Sequence, residues 1–149
     1  MQRYTICEID LAAIRHNVGV MKAHIAGGAK FLAVVKADAY GHGAVPVAKA
    51  ALEAGADMLA VAIPEEGIAL RHAGITAPIL VLGGIEEAAA RDVVQNGLTQ
   101  VVFDEARIRA LAQAGQALGE TAKVHLKLDT GMNRIGVRTA DEVKALVRL

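Results

Sequence analysis

A lysine at the end of an apolar run opens the stretch of this sequence best suited to chemistry. Lys36 follows the apolar run 31–35 and begins KADAYGHG at 36–43. A lysine kept from water is readily deprotonated and can form a Schiff base. Glycines and small residues let the backbone approach a ligand closely, and Tyr40 adds a hydroxyl that could reach a phosphate. The plainer interpretations are a Lys36 amine that simply reaches water and a His42 that bonds to the backbone of a turn.

A second group of charged residues follows a later apolar run. His125, Lys127 and Asp129 alternate with apolar residues and so share one face of a predicted strand. Arg134 follows on the glycine-flanked stretch TGMNRIGV at 130–137. A buried lysine on such a face is costly unless it is paired or used, but an edge strand with a solvated polar face has the same pattern. The apolar residues of the other face, suited to packing under helices, are Val124, Leu126 and Leu128.

Strand and helix patterns alternate along the chain and determine where these charged residues lie. Asp10 is predicted to cap an amphipathic helix whose apolar positions run from Leu11 to Ile25, with Gly27-Gly28 ending it. The predicted strands that follow are 31–36, 58–63, 79–82, 99–103 and 123–128. The predicted helices are 44–54, 64–72, 86–95, 105–118 and a last one, capped by Thr139 or Asp141, that runs to Leu149.

Short links between alternating strands and helices are typical of βαβ units and a parallel sheet. A doubly wound sheet and a (β/α)8 barrel both fit, but no glycine-rich phosphate fingerprint follows the first strand, which disfavours a dinucleotide-binding sheet. A complete barrel needs eight units and about 250 residues. The sequence therefore predicts an α/β fold, a partial barrel of about five βα units, preceded by a short strand and the amphipathic helix. Lys36 and Arg134 would then face one ligand from two sides of the barrel mouth.

Composition narrows the class of partner. The 149 residues carry a formal net charge of +0, only 3% are aromatic, and Cys7 is the one cysteine. Balanced charge without blocks of one sign argues against nucleic acid or an anionic membrane as the main partner. A single cysteine excludes an intrachain disulfide and fits a reducing compartment. The opening residues lack the apolar stretch of a signal peptide, so we expect a cytoplasmic protein, and we predict no metal site.

Two segments of the sequence resemble those of a known enzyme family. The stretch AVVKADAYGHG at 33–43 looks like the cofactor-lysine motif of bacterial alanine racemases, and KLDTGMNRIGV at 127–137 looks like the family's second block. The opening EIDL at 8–11, followed by an amphipathic helix, is also similar. The resemblance runs along essentially the whole chain. It implies that residues 1–149 are the N-terminal portion of a barrel that holds pyridoxal phosphate, with the rest of the barrel and a β-rich domain beyond this sequence.

The resemblance also implies roles for individual residues. Lys36 would bind the cofactor covalently and act as the base for the D-enantiomer. Tyr40 would help to hold the phosphate, and Arg134 would lie beside the phenolic oxygen of the cofactor and the substrate. Lys127 corresponds to a lysine that is N-carboxylated in several family members. A carbamate there would replace a cation near Arg134 with an anion that orients it.

The implied function is the interconversion of L-alanine and D-alanine by a homodimer, supplying D-alanine for peptidoglycan. The family's second base is a tyrosine of the other subunit, and an arginine faces the pyridine nitrogen; neither is located in this sequence. A serine or broad-specificity racemase of the same family is one alternative. An inactive fragment that at most binds cofactor is another, and we expect residues 1–149 alone to be inactive.

Overall fold

A computed structural model describes residues 5–149, and the first four residues, where the opening segment begins, lie outside it. In the described range, parallel strands lie side by side in chain order, β1-β2-β3-β4-β5, so the expected α/β barrel-type arrangement is confirmed. The strands are β1 (Leu32–Val34), β2 (Met58–Val61), β3 (Ile79–Val81), β4 (Thr99–Val102) and β5 (Lys123–Leu126). The helical segments are α1 (Leu11–Ala23), α2 (Lys36–Gly41, a left-handed turn described below), α3 (Ala44–Glu53), α4 (Pro64–His72), a 3-10 turn (Glu87–Ala89), α5 (Ala90–Gln95), α6 (Glu105–Leu118) and α7 (Ala140–Val147).

Helix α1 begins as predicted and ends earlier. The Asp10 carboxylate accepts the N–H groups of Ala12 and Ala13 at 2.8 and 3.1 Å, which satisfies two free donors of the first turn. The helix stops at Ala23, before Ile25 and the glycine pair. The short strand expected before α1 is not formed by residues 5–10, because they pair with none of the described strands.

The last helix resolves an alternative that the sequence left open. Thr139 caps α7, since its hydroxyl accepts the N–H of Glu142 at 3.2 Å. The Glu142 carboxylate in turn accepts the N–H of Thr139 at 2.8 Å, which completes a capping box. The same carboxylate accepts the N–H of Arg138 at 2.8 Å, and these backbone donors hold the pKa of Glu142 below its usual value. Asp141 therefore lies in the first turn of the helix rather than at its cap.

The two faces of the sheet form separate apolar layers. On the face beneath the helices, Leu59, Val61 and Ile79 are fully buried. The opposite, concave face carries a smaller cluster built around Ala60, Leu80 and Val101. Because side chains alternate along each strand, the residues of the two clusters lie on opposite faces of the sheet. Burial of each large aliphatic side chain contributes about 1.5–3 kcal/mol to folding. The core therefore sits mainly between the sheet and its helices.

The Arg71 side chain of α4 binds the segments that lead into β3 and β4. Its guanidinium donates to the carbonyl oxygens of Ile75 and Ala77 at 2.7 and 2.8 Å, and to those of Asn96 and Gly97 at 3.0 and 3.2 Å. Partial burial among these carbonyls lowers the pKa of Arg71. Because active sites of barrels lie at the opposite, carboxyl end, this network belongs to the stability of the fold.

The edges of the sheet are less well covered than its centre. Val34 of β1 is 40% exposed, and Val124 of β5 is 44% exposed. The face of β5 predicted to pack under helices is covered in part: Leu126 is half-buried and Val124 lines a cleft beside Leu111 of α6, whereas Leu128 is 50% exposed. No helix within residues 5–149 has the length and apolar character required to cross a membrane.

Candidate active site

The two motif segments lie at the carboxyl ends of β1 and β5. Lys36 comes directly after Val35, which is buried and bonds to β2 through its N–H group. Strand pairing aligns His125 with Val101 of the concave face. Lys127 lies two residues further along and so shares that face, and its N–H donates to the carbonyl of Val102 at 2.8 Å. His125 and Lys127 therefore share one face of the sheet, as their alternation along the predicted strand indicates.

A left-handed turn follows Lys36, and the sequence does not predict it. Ala37, Asp38, Ala39 and Tyr40 have φ values between 50° and 56°, in a region that residues other than glycine rarely occupy. Each such residue costs about 1–2 kcal/mol relative to right-handed backbone. A run of four persists only when surrounding contacts fix it, and strain of this kind concentrates at functional sites.

Hydrogen bonds within the segment hold part of this turn. The N–H of Ala39 donates to Val35 at 3.0 Å, and the N–H of Gly43 donates to the carbonyl of Asp38 at 2.9 Å. The Asp38 carboxylate accepts the N–H of Ala44 at 2.6 Å, joining the turn to the start of α3. His42 Nδ1 lies 3.0 Å from the carbonyl oxygen of Ala39, which confirms the prediction that this histidine bonds to the backbone.

A carboxylate from a neighbouring element completes the set of contacts. The N–H of Ala37 donates to Glu66 Oε1 at 2.7 Å. Glu66 belongs to α4, which follows β2 rather than β1. Glu66 is not among the residues that the sequence indicates as functional, although its place in the first turn of a predicted helix just after a strand is a signal for a side chain that caps backbone N–H groups.

The turn leaves two functional groups open to a ligand. Lys36 is half-buried, and its Nζ lies 5.9 Å from the centre of the Tyr40 ring, near enough for a cation–π contact. Tyr40 is 62% exposed. Within residues 5–149 neither the Lys36 amine nor the Tyr40 hydroxyl has a protein hydrogen-bond partner. Both groups are therefore free to bind a molecule at the mouth.

The second motif folds back on the end of β5. Asp129 Oδ1 accepts the N–H groups of Gly131 and Asn133, each at 3.0 Å, and Oδ2 accepts the N–H of Arg134 at 2.9 Å. These backbone donors, with Gly131 the largest contributor, hold the pKa of Asp129 below its usual value. The N–H of Asp129 also donates to Val137 at 2.8 Å, which closes the loop.

Close approach of the segment that returns to Leu128 requires a glycine at position 136. Gly136 has φ 123°, and a Cβ there would lie 2.8 Å from the Asp129 nitrogen. The resulting loop presents Arg134 to solvent beside a small cleft that is also lined by Lys127 and Met132. The structure thus places Lys36 with Tyr40 at one edge of the sheet and Lys127 with Arg134 at the other.

The Asp129 contacts predict a pH-dependent stability of this loop. Because the folded pKa lies below 3.8, the stabilisation is complete above about pH 5 and is lost as the pH falls through the folded value. Asp129→Asn should therefore destabilise the protein at about pH 7, and the difference from wild type should shrink toward about pH 2. Denaturant unfolding at both pH values measures this difference, with the exposed Asp141→Asn as the control. An Asp129→Asn effect that is the same at both values would contradict it.

The side chains at the mouth suit an anionic ligand that carries a carbonyl group. A primary amine can react with an aldehyde, while a phenol and a guanidinium donate hydrogen bonds to phosphate, phenolate or carboxylate oxygens. Among residues 5–149, no three His, Cys, Asp or Glu side chains lie together as metal ligands would. An amine, a phenol and a guanidinium are thus the kinds of group that pyridoxal phosphate requires.

Parallel strands in chain order, with the candidate residues beyond their carboxyl ends, define the chain as part of a (β/α)-barrel. Residues 9–149 match the family described as alanine racemase, N-terminal domain. The chain belongs to this family, and the resemblance seen in its two motifs is confirmed.

Individual relatives agree with this assignment. An alanine racemase of Symbiobacterium thermophilum is 52% identical over 139 residues, which are 93% of this chain and 37% of that protein. A crystal structure of alanine racemase from Bacillus anthracis with bound L-Ala-P has a TM-score of 0.91 and 42% identity, over 99% of this chain and 38% of that one. A histidine racemase from Leuconostoc mesenteroides has a TM-score of 0.88 and 33% identity, over 99% and 39%. The chain thus spans less than half the length of these relatives.

Proposed function

We propose that this chain is the N-terminal part of a pyridoxal-phosphate-dependent alanine racemase. Residues 1–149 then form part of the barrel, and further strands and a β-rich domain, absent from this sequence, complete the protein. The observation that carries the proposal is Lys36, held at the carboxyl end of β1 by a strained turn in a chain of this family. Coverage of 37% of a relative's length supports a larger whole, called the full-length racemase below.

Each candidate residue then has one task. Pyridoxal phosphate, when bound, acidifies the α-C–H bond of an attached amino acid by delocalising negative charge into its ring. The Lys36 amine holds the cofactor and moves the α-proton on one face. Tyr40 donates a hydrogen bond to the phosphate. Arg134 donates to the phenolic oxygen of the cofactor and to the substrate carboxylate.

Lys127 is proposed to carry an N-carboxyl group. Lys127 and Arg134 line the same cleft, and two cations in one partly enclosed site repel each other. A carbamate on Lys127 would remove that repulsion and accept a charge-assisted hydrogen bond from the guanidinium. Its task would be to orient Arg134 rather than to touch the reacting carbon.

Racemisation requires a base on each face of the α-carbon, and Lys36 serves one face. We propose that the opposite base comes from the second subunit of a homodimer. The exposed edges at β1 and β5 are suited to pairing with further strands.

We also place the protein in the cytoplasm, in keeping with the lone, exposed Cys7.

A different substrate is the second candidate. The similarity to a histidine racemase at a TM-score of 0.88 favours it, because the same barrel segment accompanies a different specificity there. The described residues supply the cofactor lysine and one arginine, whereas the rest of the pocket lies outside them. A serine or broad-specificity racemase therefore has the same chemistry with another side-chain pocket.

The test is a racemisation assay of the full-length racemase with added pyridoxal phosphate. We expect L-alanine to be converted to D-alanine with a higher kcat/KM than L-serine or L-histidine. Faster conversion of either competitor would transfer the assignment to that substrate. Absence of conversion, together with absence of α-hydrogen exchange in deuterated water, would overturn the proposed activity. Residues 1–149 expressed alone serve as the fragment control and should show no conversion.

A further inference from the structure

Glu66 joins the ends of two strands at the barrel mouth. Its Oε2 accepts the N–H of Ala62 at 2.7 Å and that of Ile63 at 3.4 Å, just beyond β2. Its Oε1 accepts the N–H of Ala37 at 2.7 Å, just beyond β1. One carboxylate thus binds backbone donors from two neighbouring strand ends, with both of its oxygens in use.

The bond to Ala37 acts on the backbone next to Lys36. Ala37 is the first residue of the left-handed turn, with φ 50° and ψ 51°. Since peptide planes are shared between neighbours, fixing the Ala37 N–H also fixes the carbonyl side of Lys36. The direction in which the lysine leaves the strand end therefore depends on Glu66.

Glu66 lies on a helix, α4, that is closely packed against its neighbours. Pro64 and Leu70 of the helix are buried. A Cβ on Gly67, the next residue, would lie 3.1 Å from the Leu98 side chain, so the helix is pressed closely onto its neighbours. A side chain on such a helix can keep a flexible neighbour within about 0.5 Å of one position, which is the precision that a functional lysine requires.

We infer that Glu66 is a positioning residue that holds Lys36 in the direction needed to bind cofactor and move the proton. The inference rests on the proposed function for the role of Lys36. It goes beyond a helix cap, because the bonds to Ala62 and Ile63 alone would suffice to cap α4. The bond to Ala37 is not part of the capping box and joins α4 to the turn that follows Lys36.

Glutamine is a nearly isosteric replacement for Glu66 and so provides a test. Glutamine keeps one acceptor oxygen but places an NH2 group where the second oxygen lies. In Glu66→Gln one of the two strand ends therefore faces a donor instead of an acceptor. Glu65→Gln is the matched control, because Glu65 is exposed one residue earlier on the same helix and makes no hydrogen bond among the described residues.

The experiment compares wild type, Glu66→Gln and Glu65→Gln in the full-length racemase. We expect Glu66→Gln to lower kcat by about 10- to 100-fold, as small misplacements of a reacting group do, with KM changed by less than about threefold. The near-visible absorbance of the bound cofactor should change its pH profile in the same variant. Glu65→Gln should match wild type in every measurement.

A second variant separates positioning from simple stability. Glycine adopts left-handed backbone without the cost that alanine incurs. In an Ala37→Gly background the turn depends less on Glu66, so Glu66→Gln should reduce kcat by a smaller factor than in wild type. Equal factors in both backgrounds would indicate a helix cap alone and overturn the inference.

Amide exchange of Ala37 tests the contact without cofactor. The Ala37 N–H should exchange faster in Glu66→Gln than in wild type and Glu65→Gln. Unchanged exchange in folded Glu66→Gln would overturn the inference even if Lys36 proves to bind cofactor. Conversely, faster exchange with no cofactor on Lys36 would leave the contact standing and refute the proposed function. If Glu66→Gln does not fold, Glu66→Asp, one methylene shorter, is measured with the same expected and contradicting outcomes.

Discussion

Replacing Lys36 with alanine is expected to abolish racemisation by the full-length racemase. The variant would lose both the amine proposed to bind the cofactor and the base proposed for one face, and loss of a positioned base alone costs about 10²–10⁴-fold in rate. The near-visible absorbance of covalently held cofactor should disappear with it. Stability should change little, because the Lys36 amine has no protein hydrogen-bond partner within residues 5–149.

The control for this variant is Lys49→Ala, on the exposed side of α3. It should retain wild-type activity and absorbance. Borohydride reduction of the wild-type protein, followed by peptide mapping, should place the cofactor on Lys36. Recovery of the adduct on Lys127 would show the assignment to be wrong.

Arg134→Leu is expected to lower kcat/KM by about 10- to 100-fold, which corresponds to the 1.5–3 kcal/mol of a hydrogen bond to a charged group. The loop itself should persist, because Asp129 binds the Arg134 backbone N–H and not its guanidinium. The free energy of unfolding should therefore change by no more than about 0.5 kcal/mol, as for other exposed positions.

Thermal unfolding and steady-state kinetics of the same preparation measure both effects of Arg134→Leu. Arg91→Leu, an exposed arginine of α5, is the matched control and should change neither. A large fall in melting temperature with activity retained would refute the role proposed for Arg134.

The alternation of strands and helices could be predicted from the sequence because its signals are local. Helices α4 and α6 begin and end at the predicted residues, where proline, Asp104 and glycines mark their limits. The second predicted strand, 58–63, is too long. It ends at Val61 because the N–H groups of Ala62 and Ile63 bond to Glu66 instead of continuing a strand.

The candidate site could be predicted less completely. The sequence indicates Lys36 and Arg134 as candidates because each follows a predicted strand, and the carboxyl ends of parallel strands meet on one side of a sheet. The left-handed turn could not be predicted, since Ala37 and Ala39 carry no local preference for positive φ. Local hydrogen bonds hold part of this turn, and the bond from Ala37 to Glu66, across 29 residues, adds a contact that is distant in sequence.

The order of strands in the sheet has a consequence for how the protein is made. Each strand pairs with the one synthesised just before it, from β1 through β5. At about 5–20 residues per second, the stretch from Leu32 to Leu126 leaves the ribosome over roughly 5–20 s, so every new strand meets a partner that is already present. The nascent sheet therefore grows only at the side of its newest strand, while the edge at β1 stays unpaired from Leu32 through Leu126.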